Sequence, residues 1–255
     1  MTDFSSALAL RALAALLSSS ALAATGAAVP PDAGATPVVA VVRVAKPWYA
    51  PRAAVAGKMR DTTAQYAQLP GLAFKAYSFE RQSGDYGGLY YWHDAATARA
   101  WFNDAWFERV KRERGVEGRV AMFDAPLSID NTPGGTRADS DSNNAVATLV
   151  LIATPAGVGR AQIEAEFVKA VPTYRAVPGL LRKHFIVADG GARFGGLYLW
   201  RDEASARAWF NAAWHERVRS SYGQPAAIDW FDTPILLTTR DAANLPAASA
   251  MMVAP

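Results

Sequence analysis

Cysteine is absent from the 255-residue sequence, which excludes disulfides, thiol nucleophiles and thiolate metal sites together. Histidine is scarce. His93, His184 and His215 are the full set, and no two stand at a local ligand spacing such as i, i+4, so a protein-built zinc or iron site is not expected. There is no block or stripe of lysine and arginine, and the net charge is +3, which argues against a nucleic-acid partner. A nucleotide fingerprint is missing as well. The pairs Gly87-Gly88 and Gly195-Gly196 precede strands rather than open helices. They therefore read as hairpin glycines and not as a phosphate loop, and no cofactor is expected, neither flavin nor nicotinamide.

Core material, by contrast, is plentiful, at 51% hydrophobic and 19% charged residues, the balance of a globular protein. The dominant feature is an internal repeat. GGLYYWHDAATARAWFNDAWFERV, Gly87 to Val110, returns as GGLYLWRDEASARAWFNAAWHERV, Gly195 to Val218, at an offset of 108. The offset holds without a gap in both directions. Pro70-Gly71-Leu72 becomes Pro178-Gly179-Leu180, and Phe123-Asp124 becomes Phe231-Asp232. One domain is written twice.

Residues 1–35 read as a signal peptide and disordered leader. Arg11 precedes the small-apolar run Ala12 to Ala23, and Ala21-Leu22-Ala23 fits a small-x-small cleavage site, so a secreted or periplasmic protein cut after Ala23 is expected. The run is too short, and too rich in alanine and serine, for a membrane span, so no span is expected in the mature chain. The other reading is an Ala-rich leader that is simply disordered. A first unit follows at 36–128, a polar linker at 129–144, a second unit at 145–238 and a flexible tail at 239–255.

Each unit shows the same elements. A Val-rich strand (Val38 to Val44; Ala147 to Ile152) leads to a helix, clearest in the second copy as Ile163, Phe167, Val171 and Tyr174. Pro172 is expected to interrupt that helix and kink it. Strands follow at Leu72 to Phe79 and Leu89 to Trp92, with counterparts at Leu180 to Val187 and in the second glycine-led run. A second helix runs from the N-cap Asp94 or Asp202 to the stop Gly115 or Gly223. The last strand is expected at Arg119 to Asp124 and Ala227 to Asp232, ended by Pro126 and Pro234. The order β-α-β-β-α-β is the ferredoxin-like pattern, in the α+β class. Such a sheet carries helices on one face only. These strands are apolar on both parities, so the two copies are expected to cover each other as an intrachain pseudo-dimer, with the chain itself monomeric.

On a helical wheel, Ala98, Phe102, Ala105 and Arg109 share one direction. Arg109 and its copy Arg217 then either snorkel toward a carboxylate such as Asp124 or Asp232, or present a fixed cation to a pocket. Asn103 and Asn211 fall in mid-helix, where asparagine is a mediocre helix former. They are either solvated or aimed at a bound oxygen, with Trp106 or Trp214 as a flat wall. Lys75 and Lys183 share a strand face with Tyr77 and Phe185, lining a cavity or marking an edge. His184 has Ala76 as its counterpart. It is a better acid–base candidate than His215, which lies on the polar side of its helix, or else a structural histidine.

These residues carry a family resemblance. Pro70-Gly71-Leu72, Lys75, Gly87-Gly88-Leu89-Tyr90, Asp94, Gly115-Val116-Glu117, Phe123-Asp124 and Pro126-Leu127-Ser128 resemble the YdhR-type mono-oxygenases; the second unit keeps the first part and loses GVE. That family belongs to the dimeric α/β-barrel superfamily, alongside antibiotic-biosynthesis mono-oxygenases and haem-degrading enzymes. The resemblance implies two ferredoxin-like units forming a barrel with a cavity in each. It also implies a cofactor-independent mono-oxygenase acting on a small aromatic or phenolic molecule. Trp101, Trp106, Trp209 and Trp214 would be walls, and Asn103 and Asn211 would orient the substrate oxygen. Arg109, Arg217, Lys75 or Lys183 would stabilise its negative charge, and Tyr90 and Tyr198 join the substrate-binding set. Members of the wider superfamily often carry histidine on the second helix, where this sequence has tryptophan and alanine. The alternatives are an exported, non-catalytic barrel that binds a hydrophobic ligand, and haem binding with His184 as the ligand.

Overall fold

The computed structural model describes residues 36–132, 140, 141 and 144–239. The leader with its expected cleavage after Ala23, most of the linker and nearly all of the tail lie outside them. The first unit runs β1 (Val38–Val44), α1 (Arg52–Arg60), α2 (Thr63–Ala67), β2 (Leu72–Glu80), β3 (Tyr86–Trp92), α3 (Ala95–Trp101), α4 (Asp104–Arg114) and β4 (Gly118–Asp130). After the short β5 (Ser140–Asp141), the second runs β6 (Val146–Ala153), α5 (Arg160–Arg175), β7 (Leu180–Ala188), β8 (Arg193–Trp200), α6 (Glu203–Trp209), α7 (Ala212–Tyr222) and β9 (Ala227–Thr238). Both units are ferredoxin-like, with antiparallel strand orders β4-β1-β3-β2 and β9-β6-β8-β7.

The units do more than face each other. β4 pairs with β1 up to Asp124 and then, from Leu127 to Asp130, with β7 of the other unit. β9 repeats the exchange, leaving β6 after Asp232 and pairing with β2 through Thr238. Eight strands thus close into one barrel, which leaves no open edge. The expectation that Pro126 and Pro234 end these strands is corrected. Each lies where its strand changes partner and the register shifts, a place where no ladder hydrogen bond is asked of the missing N–H. Ion pairs at matching positions tie the units together: Arg52 to Asp232 at 2.6 Å, and Arg160 to Asp124. These carboxylates therefore serve arginines of the opposite unit, not Arg109 or Arg217.

Strand parity sorts the core. Val39, Val41, Leu89, Tyr91, Ile186, Leu197 and Leu199 point inward and fill the barrel. The other parity, including Trp92 and Trp200 at 0% exposure, packs under the helices of its own unit. Each such aromatic contributes on the order of 1.5–3 kcal/mol by its burial.

Two further expectations change. α5 runs continuously through Pro172. The second helix of each unit is in fact two helices, α3 with α4 and α6 with α7, because Phe102 and Phe210 leave helical geometry and Asn103 and Asn211 are extended. The wheel drawn through the whole stretch loses phase at that break. Ala105 and Arg217 are exposed and Arg109 is half-buried, while Trp106, Trp214 and Val218 take the apolar face.

Candidate active site

A cavity of about 50 Å³ lies in the second unit between the outer face of the sheet and α5, α6 and α7. The strand β7 places Lys183 on its floor, since Lys183, Phe185 and Val187 face the helices while Arg182, His184 and Ile186 face the barrel. The lysine stem crosses β8 at Gly196, where a Cβ would stand 3.1 Å from Lys183 Cε and 2.9 Å from Tyr198 Cε2. The paired glycines are therefore strand residues that make room, and the hairpin reading is corrected. Gly195 lets Val150 O approach to 2.0 Å of where a Cβ would be. Gly196→Ala is expected to destabilise the protein by about 1–3 kcal/mol, as overpacking does, and to lower any activity of the cavity. Chemical denaturation beside a turnover assay checks both.

Rings enclose the Lys183 ammonium position: Nζ is 3.1 Å from the Tyr174 ring centroid, 3.9 Å from Phe185 and 4.6 Å from Tyr198. Burial holds its pKa well below the ordinary lysine value, because a charge in this apolar setting lacks solvation. The tyrosines shift the other way. Burial pushes Tyr174 up to about 12, moderated by its 3.4 Å hydroxyl contact with Tyr198. Tyr198 and Tyr222 are both raised by burial first and by the neighbouring Tyr174 second. Glu166 on α5 is 2% exposed; its Oε1 accepts from Lys169 at 2.6 Å. Trp209 and Tyr222, both half-buried, form the outer wall. The chemistry on offer is a lysine amine among rings, its proton held less tightly than usual, beside a carboxylate and phenolic donors.

A larger groove of about 630 Å³ runs between α1 and α6. Its charges are already paired: Arg52 and Arg81 hold Asp232, and Arg81 also holds Glu203 at 3.0 Å. That groove carries less chemistry than the buried lysine.

Residues 154–241 match the family model described as "Putative mono-oxygenase ydhR". The match covers the second unit, which is therefore similar to the ydhR family. A putative monooxygenase from Fusobacterium nucleatum subsp. nucleatum has the same fold, with a TM-score of 0.55 over 80% of this chain and 95% of its own at 14% identity. An anthrone oxidase-like protein matches at a TM-score of 0.51 over 86% and 98% of the two chains, with 11% identity. No curated protein is significantly similar in sequence.

In the ydhR-type second unit, the structure brings Lys183, Tyr198, Trp209 and Trp214 together around the cavity. Their counterparts form a similar lysine cage in the first unit, where Lys75 Nζ is 3.0 Å from the Tyr66 ring and 4.7 Å from Tyr90. Trp101 packs on Tyr66, and Trp106 packs on Phe102. Elsewhere the expectations are corrected. Asn103 and Asn211 are exposed N-caps: each Oδ1 accepts from a tryptophan N–H, at 3.0 and 2.9 Å. Each Nδ2 donates to a carbonyl of the preceding helix, at 2.8 and 2.9 Å. Neither amide is aimed at a ligand. Replacing either by alanine is expected to cost about 1 kcal/mol of stability and to leave the activity per folded molecule unchanged. Arg217 is exposed, and Arg109 lies 5.8 Å from the Trp101 ring rather than in a pocket.

His184 faces the barrel interior. It stacks on Tyr91 at 4.2 Å and bonds Ser128 Oγ through Nδ1 at 2.7 Å, while its Nε2 is buried without a partner. A haem iron would have to displace the barrel side chains packed around the buried ring to reach Nε2. Sequence reasoning missed Glu166, Tyr174 and Tyr222. The signal was present in the repeat, because Glu166 stands where the first unit has Lys58, and Tyr222 where it has Arg114.

Proposed function

We propose that the protein is a cofactor-independent mono-oxygenase acting on a small phenol, with the second-unit cavity as its active site and Lys183 as general base. The observation that carries this reading is the buried, ring-caged Lys183, whose charged form is disfavoured by desolvation. A neutral amine takes the phenolic proton, and the ring faces then hold the ammonium, a contact worth roughly 0.5–2 kcal/mol. Tyr222 and Trp209 face the same space and supply donors for the phenolate oxygen. The phenolate passes one electron to dioxygen, and the two radicals join to form the new C–O bond. Loss of water then gives a quinone. One oxygen atom becomes the carbonyl and the other leaves as water. All four electrons come from the ring, so no external reductant is consumed.

At about 50 Å³ the cavity is smaller than the ~150 Å³ that admits a benzene ring. A substrate ring therefore enters as the half-buried outer wall of Trp209 and Tyr222 yields outward, with its N–H and O–H still turned to the cavity. Oxygen uptake and quinone absorbance with a panel of phenols test the proposal. Turnover should fall about 10²-fold or more in Lys183→Met. Ligand binding without oxygen uptake would favour the non-catalytic barrel instead, and turnover indifferent to Lys183→Met would remove this mechanism. The export expected from the leader is part of the same reading and is checked by N-terminal sequencing of the protein recovered outside the cytoplasm.

A further inference from the structure

Three polar atoms lining the cavity are buried without a partner in the protein. They are Glu166 Oε2, Trp209 Nε1 and the Tyr222 hydroxyl. A buried polar group left unmatched costs about 1–3 kcal/mol, so three around one cavity describe what is meant to occupy it. Lys183 Nζ faces the same cavity, surrounded by rings. With a free amine, the set comprises two acceptors, Glu166 Oε2 and Lys183 Nζ, and two donors, Trp209 Nε1 and the Tyr222 hydroxyl. A hydroxyl offers one hydrogen and accepts in return. Two hydroxyls on one ring therefore satisfy all four groups, whereas one leaves an acceptor and a donor unmatched.

The first unit lacks this set. Lys58 takes the place of Glu166, is 77% exposed and is paired with Asp61. Arg114 replaces Tyr222. Of the three unmatched positions, Trp101 Nε1 alone is repeated there. Between Glu166 and Lys169 the sign of the local ion pair is also reversed relative to Lys58 and Asp61.

We propose that each chain has one ligand site, in the second unit, and that Glu166 with Tyr222 and Trp209 selects an aromatic ring carrying two hydroxyl groups. This narrows the substrate of the mono-oxygenase reading and rests on the same cavity.

The test is binding without oxygen, so that turnover plays no part. Catechol, resorcinol and hydroquinone, with their monomethyl ethers, phenol and toluene, are titrated into the full chain anaerobically, followed by tryptophan fluorescence and calorimetry. The expected result is one site per chain, with the best dihydric isomer bound about tenfold or more tightly than its own monomethyl ether. Glu166→Leu should erase that ratio, and Glu166→Gln, which keeps shape and fold, should reduce it several-fold. Binding of none of the probes, two equivalent sites, an ether or toluene bound as well as the diol, or a ratio unchanged in both variants would each overturn the proposal. Diol-selective binding without oxygen uptake in air would remove the oxygenase reading and keep this one. Oxygen uptake from monohydric phenols without diol preference would do the reverse.

Discussion

Lys183→Met is expected to give a protein that is more stable and inactive. In the folded state burial holds the Lys183 pKa well below its ordinary value, whereas an unfolded lysine keeps its proton up to about pH 10.4. Between the folded and unfolded pKa values the unfolded chain binds more protons, so stability rises with pH through that window and is lowest below it. At neutral pH the lysine therefore weakens the fold. Methionine fills a similar volume with no charge to desolvate, and such replacements stabilise by up to about 1–4 kcal/mol, or roughly 2–4 °C in Tm per kcal/mol for a chain of this size. Lys75 is lowered by the same cause, so each single replacement removes part of the alkaline slope and the double variant removes most of it. Urea unfolding between pH 7 and 10.5 measures the slope. A Lys183→Met protein of unchanged stability and unchanged slope would mean that the amine is solvated and charged. The trade of stability for a reactive amine is the pattern expected of a functional site.

The fold was legible because the repeat and the strand parities carry it. Tyr90 and Trp92 alternate with Leu89 and Tyr91, and the structure sends the first pair under the helices and the second into the barrel. What was not legible was how the barrel closes. Pro126 and Pro234 look like strand ends, and only the partner exchange across units explains how a strand continues through them. Asn103 and Asn211 misled for a related reason. Asparagine is a poor mid-helix residue and a good cap, and the second property was the one in use. Once the helix breaks there, the wheel that put Arg109 and Arg217 on the apolar face no longer applies.

The site was half legible. Lys183 and Trp214 could be read from their spacing and the family resemblance added Tyr198 and Trp209, but nothing singled out Glu166. Its burial depends on α5 remaining one continuous helix of 16 residues, where the first unit has two shorter pieces, α1 and α2. That difference places a carboxylate over the cavity of one unit and an exposed lysine over the other. Residues that differ between copies were thus more informative about function than those that repeat.

The acid limb of stability should belong largely to His184. Its pKa is lowered to about 3 by burial, with the Arg182 charge adding to the effect. Tyr91, Ser128 and Arg182 are the polar groups around it, and Arg182 is held by Asp130 at 2.8 Å. An unfolded histidine titrates near pH 6.5. The neutral imidazole is thus fully favourable above that pH, and its contribution is lost as pH falls toward 3, because the unfolded chain binds the proton first. From pH 6.5 to 4.5 the loss amounts to about 2–3 kcal/mol, in a range still above most carboxylate titration. His184→Leu should flatten this limb while leaving the alkaline slope of the lysines intact. Its counterpart at the matching barrel position is Ala76, so the fold already tolerates an apolar side chain there. An unchanged acid limb in His184→Leu would show that the ring is protonated and solvated within the barrel, which would also reopen it as a ligand. A flattened limb with activity retained would separate the barrel interior from the chemistry of the second-unit cavity.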